Sequence, residues 1–98
     1  MPSRGRPVAV IDRYTMSEIA RYRSVREASA DLGIPQNTIY QSLCLRVPVY
    51  ESYFVYEGEL DGWSPSERMF MKVRGLRVSA RLEELRRAAY ERDKGYKP

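Results

Sequence analysis

Gln36, Asn37, Thr38, Tyr40 and Gln41 fall within six consecutive positions, and each carries a side chain that can donate or accept hydrogen bonds. An Asn or Gln amide can pair bidentately with the major-groove edge of adenine, and a Thr methyl can contact thymine. No charged residue lies between Pro35 and Leu45. Acid–base chemistry has few candidates elsewhere. The chain has no histidine and a single cysteine, Cys44, which removes the usual general base, the Ser-His-Asp arrangement and the common zinc ligands. The six glycines are scattered and form no phosphate-cradling loop. No pair of acids stands out. The expectation is a non-enzyme with no catalytic residue, no metal, no cofactor and no small-molecule substrate.

The element that would present the polar cluster begins at Ser24. Ser24 and Glu27 have capping-box spacing, with the hydroxyl serving the Glu27 amide and the carboxylate reaching back. Val25, Ala28 and Leu32 form one apolar stripe of a short helix. Gly33 suits the left-handed residue that ends it, and Ile34 can plug the corner. Pro35 starts a second helix, buried through Ile39 and Leu43, with the polar cluster facing outward. Two short helices joined this way read as a helix-turn-helix, with helix 36–44 in the DNA major groove. The alternative is an ordinary helical hairpin around a small core. Two positions depart from the usual pattern: Ser29 stands where alanine is common, and Ser42 stands where an apolar residue is common.

Charge is distributed toward the ends. The net charge is +4 from 17 Lys and Arg against 13 Asp and Glu. Residues 1–23 carry five arginines against two acids, and residues 77–98 carry seven basic residues against four acids. Residues 24–45 net about −1, so the phosphate attraction that dominates DNA affinity would come from the ends. Arg4 and Arg6 flank Gly5, either in a frayed terminus or in an arginine arm that reaches a groove or phosphates. Arg46, just past the second helix, is also placed for a phosphate.

The flanking segments read as strands and a further helix. Residues 7–13 (PVAVIDR) predict a strand, and Tyr14-Thr15 a turn. Residues 16–22 permit either a second strand, with Ile19 inward, or a helix. Pro48 suggests an edge or a turn, and Glu51-Ser52 a turn. Tyr53-Phe54-Val55-Tyr56 is the strongest strand signal, where a winged helix would place its wing. Its tyrosines fit core and sheet packing better than base stacking. Glu57, Glu59 and Asp61 form an acidic patch expected to point away from any DNA. Ser64-Pro65-Ser66-Glu67 reads as a second capping box opening a helix, against a competing hairpin alternation over 66–80. Residues 78–92 predict a helix with the stripe Leu82, Leu85 and Ala89, either a solvated surface helix, a dimerisation helix or a basic rail.

Ninety-eight residues suffice for one domain with an extension: 1–62 as a strand-flanked helix-turn-helix and 63–98 as a helical extension packed on it. No internal repeat is evident. There is no apolar run near 18 residues and no signal-peptide pattern at the N-terminus. Cys44, beside Leu43 and Leu45, reads as a small core residue in a protein of the reducing cytoplasm.

These features together resemble a known family, the nuclease-associated modular domains of phage and intron homing endonucleases. Val8-Ala9-Val10-Ile11-Asp12 is similar to the family's opening strand. Ser24-Val25-Arg26-Glu27-Ala28 and Leu32-Gly33-Ile34 resemble its first helix and turn, Thr38-Ile39 its second helix, and Tyr53-Phe54-Val55-Tyr56 its closing strand. The resemblance spans residues 7–57. It implies DNA binding, with Gln36, Asn37, Thr38, Tyr40 and Gln41 facing bases and backbone, and a phage or mobile-element origin. Leu45-Arg46-Val47-Pro48 replaces the family's Lys- and Gly-rich loop, and, with no histidine, no His-Asn-His type nuclease is expected within these 98 residues.

The combined expectation is an α+β, winged-helix-like protein with a C-terminal helical extension. Its partner would be double-stranded DNA, with Arg4, Arg6, Arg46 and the C-terminal basic residues on phosphates. A homodimer or a protein partner through the C-terminal helix would complete the assembly, in a regulatory or recruiting role. The competing expectation is a protein-interaction or assembly module in which the helix pair is only a scaffold.

Overall fold

The computed structural model describes residues 5–66 and 79–94, an α+β fold with three antiparallel strands and three α-helices. The second capping box and the helix-or-hairpin question over 66–80 lie largely outside these residues, as does Arg4. Strand β1 (Val8–Asp12) is central, flanked by β2 (Glu18–Tyr22) and β3 (Ser52–Tyr56), each antiparallel to it. All five β1 residues are buried, which explains the unbroken VAVID run: a strand covered on both faces needs no polar alternation. The ambiguous segment 16–22 is a strand because β1 pairs with it. Val8 faces Tyr22, Val10 faces Ala20, and a bulge then passes over Ile19 before Ile11 meets Glu18.

Helices α1 (Val25–Leu32) and α2 (Gln36–Leu45) follow β2, and α3 (Ala80–Lys94) ends the described chain. One face of the sheet contributes Val8, Val10 and Phe54 to a core completed by Val25, Ala28 and Leu32 of α1, Ile39 and Leu43 of α2, and Leu82 and Ala89 of α3. On the opposite face Ala9, Ile11, Tyr53 and Val55 form a second cluster. Leu60 and Trp63 pack against it, with the Trp63 ring edge-on to Tyr53 at 5.2 Å.

Both members of the helix pair end by the same device, which the sequence pattern did not announce. Helix α1 stops at Gly33 (φ 74°), whose N–H donates to the Ser29 carbonyl, while the Ser29 hydroxyl donates to the Ile34 carbonyl at 2.7 Å. Helix α2 stops at Arg46 (φ 58°), whose N–H donates to the Ser42 carbonyl, while the Ser42 hydroxyl donates to the Val47 carbonyl at 2.8 Å. Ser29-Ala-Asp-Leu-Gly-Ile-Pro35 and Ser42-Leu-Cys-Leu-Arg-Val-Pro48 are thus two copies of one stop, thirteen positions apart. Each serine satisfies the carbonyl of the residue that follows the left-handed stop, and so ties the departing chain back to the last turns of its helix. That is why serine stands where alanine and an apolar residue were the usual choices. Ser42, fully buried, also accepts from the Phe54 N–H at 2.9 Å and so ties α2 to the outer edge of β3.

Three sequence expectations need correction. Cys44 is exposed, because α2 buries its Ile39–Ser42–Leu43 side and Cys44 falls outside that arc. The turn before β3 is Tyr50-Glu51, both with positive φ, and Ser52 already belongs to the strand. Helix α3 begins at Ala80 rather than 78, because the Ser79 hydroxyl accepts from the Leu82 N–H as an N-cap while donating to the Leu32 carbonyl.

Candidate nucleic-acid interface

Helix α2 is held by its buried side and offers the other to solvent. Ile39 and Leu43 enter the core and Ser42 grips β3. Gln36, Asn37, Tyr40 and Gln41 are exposed, and Thr38 is half-buried. Tyr40, Cys44 and Leu45 extend this surface toward the C-terminal end, where Arg46 is exposed at the helix stop. Pro35 supplies no side-chain cap, and its carbonyl accepts from the Thr38 and Ile39 N–H groups. The Gln36 and Asn37 amides therefore have no intrahelical partner and lie at the positive end of the helix dipole.

The N-terminal arm runs past the α1 cap and the end of β3. Gly5 packs so tightly on the Ser24 cap that a Cβ there would come within 2.5 Å of the Ser24 Cβ. The Pro7 carbonyl accepts from the Glu57 N–H. Between these anchors the Arg6 guanidinium sits 3.8 Å from the centre of the Tyr56 ring and 3.4 Å from a Glu59 carboxylate oxygen. Tyr56 in turn neighbours α2. Its hydroxyl pKa is raised first by burial and then by Tyr40, with smaller upward effects of Cys44 and Glu59, against the downward pull of Arg6. Arg6 and Glu59 thus meet at Tyr56, in the strand that α2 packs against. Glu59 of the acidic patch, expected to point away from any DNA, thus lies against Arg6, one of the arginines expected on phosphates.

Two of the C-terminal arginines, Arg81 and Arg86, are engaged elsewhere. Arg86 on α3 donates from Nε to Asp12 Oδ1 at 2.8 Å and from its Nη2 to the Tyr50 and Glu51 carbonyls and the Ser52 hydroxyl. Arg81 pairs with Asp31 of α1 at 3.0 Å and with Glu84 at 3.0 Å. Asp31 also accepts from the Tyr22 hydroxyl, and its pKa is lowered chiefly by that bond and by Arg81. Arg21 bridges Glu18 and Glu57. The Arg81 and Arg86 contacts tie α3 to α1, to the β1–β2 turn and to the start of β3, and none of them is with α2. Sequence reasoning missed Tyr56 and Glu59 as partners of Arg6. The Tyr56-Glu57-Gly58-Glu59 run offered a signal, since it sets a ring and a carboxylate three residues apart at a strand end.

Among the described residues no group of three or more His, Cys, Asp or Glu side chains could hold a metal ion, and no helix is long and apolar enough to cross a membrane. Comparison with protein-family models, curated proteins and solved structures finds no match for this chain.

Proposed function

We propose that this chain is a small sequence-reading DNA-binding protein of phage or mobile-element type, in which the α1–α2 pair acts as a helix-turn-helix. Helix α2 enters the major groove, with Gln36, Asn37, Thr38, Tyr40 and Gln41 toward bases and backbone, and Arg6 and Arg46 on phosphates. The sheet beside the helix pair then plays the part of a winged-helix scaffold, and the role is regulatory or recruiting rather than catalytic. The observation that carries this reading is the outer face of α2, where Gln36, Asn37, Tyr40 and Gln41 are exposed together and the first-turn amides are uncapped. Amide side chains suit base edges, and helix N-terminal amides suit phosphate. The test is titration of mixed-sequence fluorescent duplex DNA from low to physiological salt. Wild type should bind in a salt-sensitive manner, and the Gln36→Ala/Asn37→Ala/Gln41→Ala variant should bind more weakly.

A protein-interaction or assembly module is the second reading. It is favoured by one observation: Arg6, Arg13, Arg21, Arg81 and Arg86 are all paired with carboxylates, while Tyr40 and Leu45 are exposed on an uncharged helix. No DNA binding at low salt would transfer the function to this reading, with α2 or α3 as the contact surface.

A further inference from the structure

The paired arginines fall into two physical classes. Arg86 and Asp12 are largely withdrawn from water, with side-chain exposures of 21% and 3%, and Arg86 has three further acceptors. Arg6 and Glu59 are the opposite case: 59% and 56% exposed, joined by one contact of 3.4 Å. An exposed single-contact pair of this kind contributes little to stability and exchanges readily for another anion. Yet Arg6 is not free to wander. Gly5 is wedged on Ser24, the Pro7 carbonyl is bonded to the Glu57 N–H, and the Tyr56 ring supports the guanidinium plane. The cation is held in place by the arm and the ring, while its counter-ion is replaceable.

We propose that Arg6, seated on Tyr56 beside α2, is a preformed DNA-phosphate contact, and that Glu59 is its internal counter-ion, displaced when DNA binds. This inference rests on the DNA-binding reading of α2. Glu59 occupies the position of a phosphate oxygen in the free protein and thereby sets a threshold for binding. Non-specific duplexes must displace it for the electrostatic return of one phosphate contact, whereas a site that also engages α2 has further contacts to offset the loss. Tyr56 acts as a positioning residue, since it orients the guanidinium without itself needing to touch DNA.

The experiment measures binding of mixed-sequence fluorescent duplex across a salt series for wild type, Glu59→Gln, Arg6→Ala, the double variant and Glu84→Gln. Glu84→Gln removes an equal charge from the exposed Arg81 pair on α3 and controls for net charge. Glu59→Gln should tighten binding about threefold at low salt, and Arg6→Ala should flatten the slope of log K against log salt by about one unit. The gain from Glu59→Gln should vanish in the Arg6→Ala background, and Glu84→Gln should leave affinity near wild type. If wild type binds but Glu59→Gln has no effect, gains equally without Arg6, or is matched by Glu84→Gln, the counter-ion role is overturned and the DNA reading stands. If wild type binds no DNA at low salt, the DNA reading itself falls, and this inference with it.

Discussion

Arg86 Nε lies 2.8 Å from Asp12 Oδ1, joining residues 74 positions apart and closing α3 onto the mouth of the β1–β2 turn. The other carboxylate oxygen of Asp12 accepts from the Tyr14 and Thr15 amides and the Thr15 hydroxyl. The aspartate thus organises the turn at one oxygen and the helix at the other. Removing the cation would leave a carboxylate 2% exposed without its countercharge. Arg86→Met should therefore cost about 3 kcal/mol, measured by urea unfolding, because a buried charge that loses its partner keeps its desolvation penalty. Asp12→Asn should cost less, since Arg86 retains the Tyr50 and Glu51 carbonyls and is itself partly hydrated.

The same pair sets an acid response. Burial alone would raise the Asp12 pKa, but the Thr15 amide, Arg86 and the Thr15 hydroxyl together outweigh it and hold the carboxyl below its ordinary 3.8. A carboxylate whose folded pKa is depressed stabilises the fold above the unfolded pKa and loses that contribution as pH falls through the folded value. The stability gap between wild type and Asp12→Asn should be constant near neutrality and begin to narrow below about pH 4. Urea midpoints of both proteins at several pH values would check this. A gap that widens with acid would mean that the folded pKa of Asp12 lies above the unfolded one.

Ser42 and Ser29 should respond unequally to loss of their hydroxyls. Ser42→Ala strands two buried backbone groups, the Val47 carbonyl and the edge-strand Phe54 N–H, and should cost about 1–3 kcal/mol. Ser29→Ala leaves only the partly buried Ile34 carbonyl without its donor and should cost about 1 kcal/mol or less. Hydrogen exchange adds a local readout: the Phe54 amide should lose protection in Ser42→Ala and keep it in Ser29→Ala.

The features legible in the sequence were those determined within one turn of chain. Ser24 with Glu27, the Val25–Ala28–Leu32 stripe and Gly33 each specify backbone conformation from neighbours alone; the stripe, the glycine stop and the Ser24 hydroxyl bond to the Glu27 amide stand as read, while the Glu27 carboxylate accepts from the Arg23 N–H rather than that of Ser24. Residues 18–22 became a strand only through pairing with β1, and a local pattern that fits both periods cannot contain that choice. Cys44 was misplaced because adjacent leucines are a linear cue, whereas helical burial depends on the 100° step between residues. The outward residues of α2 followed from the same periodicity that buried Ile39 and Leu43. The contacts of Arg6 with Tyr56 and Glu59, and of Arg86 with Asp12, join distant segments, and no local pattern says which arginine meets which acid.

Arg46 offers a way to separate charge from backbone at the candidate interface. It occupies the left-handed stop of α2 at φ 58°, the place that glycine fills at the end of α1 with φ 74°. A β-carbon in that conformation carries a cost of about 1 kcal/mol or more, which glycine lacks. Arg46→Ala removes the cation while keeping the strain, so a weaker complex is attributable to the charge. Arg46→Gly removes the cation and relieves the strain, partly offset by the freer unfolded chain. It should leave stability unchanged or raise it by up to about 1 kcal/mol, while weakening DNA binding and reducing the salt slope by about one unit. Arg46→Lys should keep the slope. The two readouts are thermal or urea unfolding and the duplex titration run on the same preparations. Equal affinity of Arg46→Gly and wild type at low salt would remove Arg46 from the interface without disturbing its role as the helix stop.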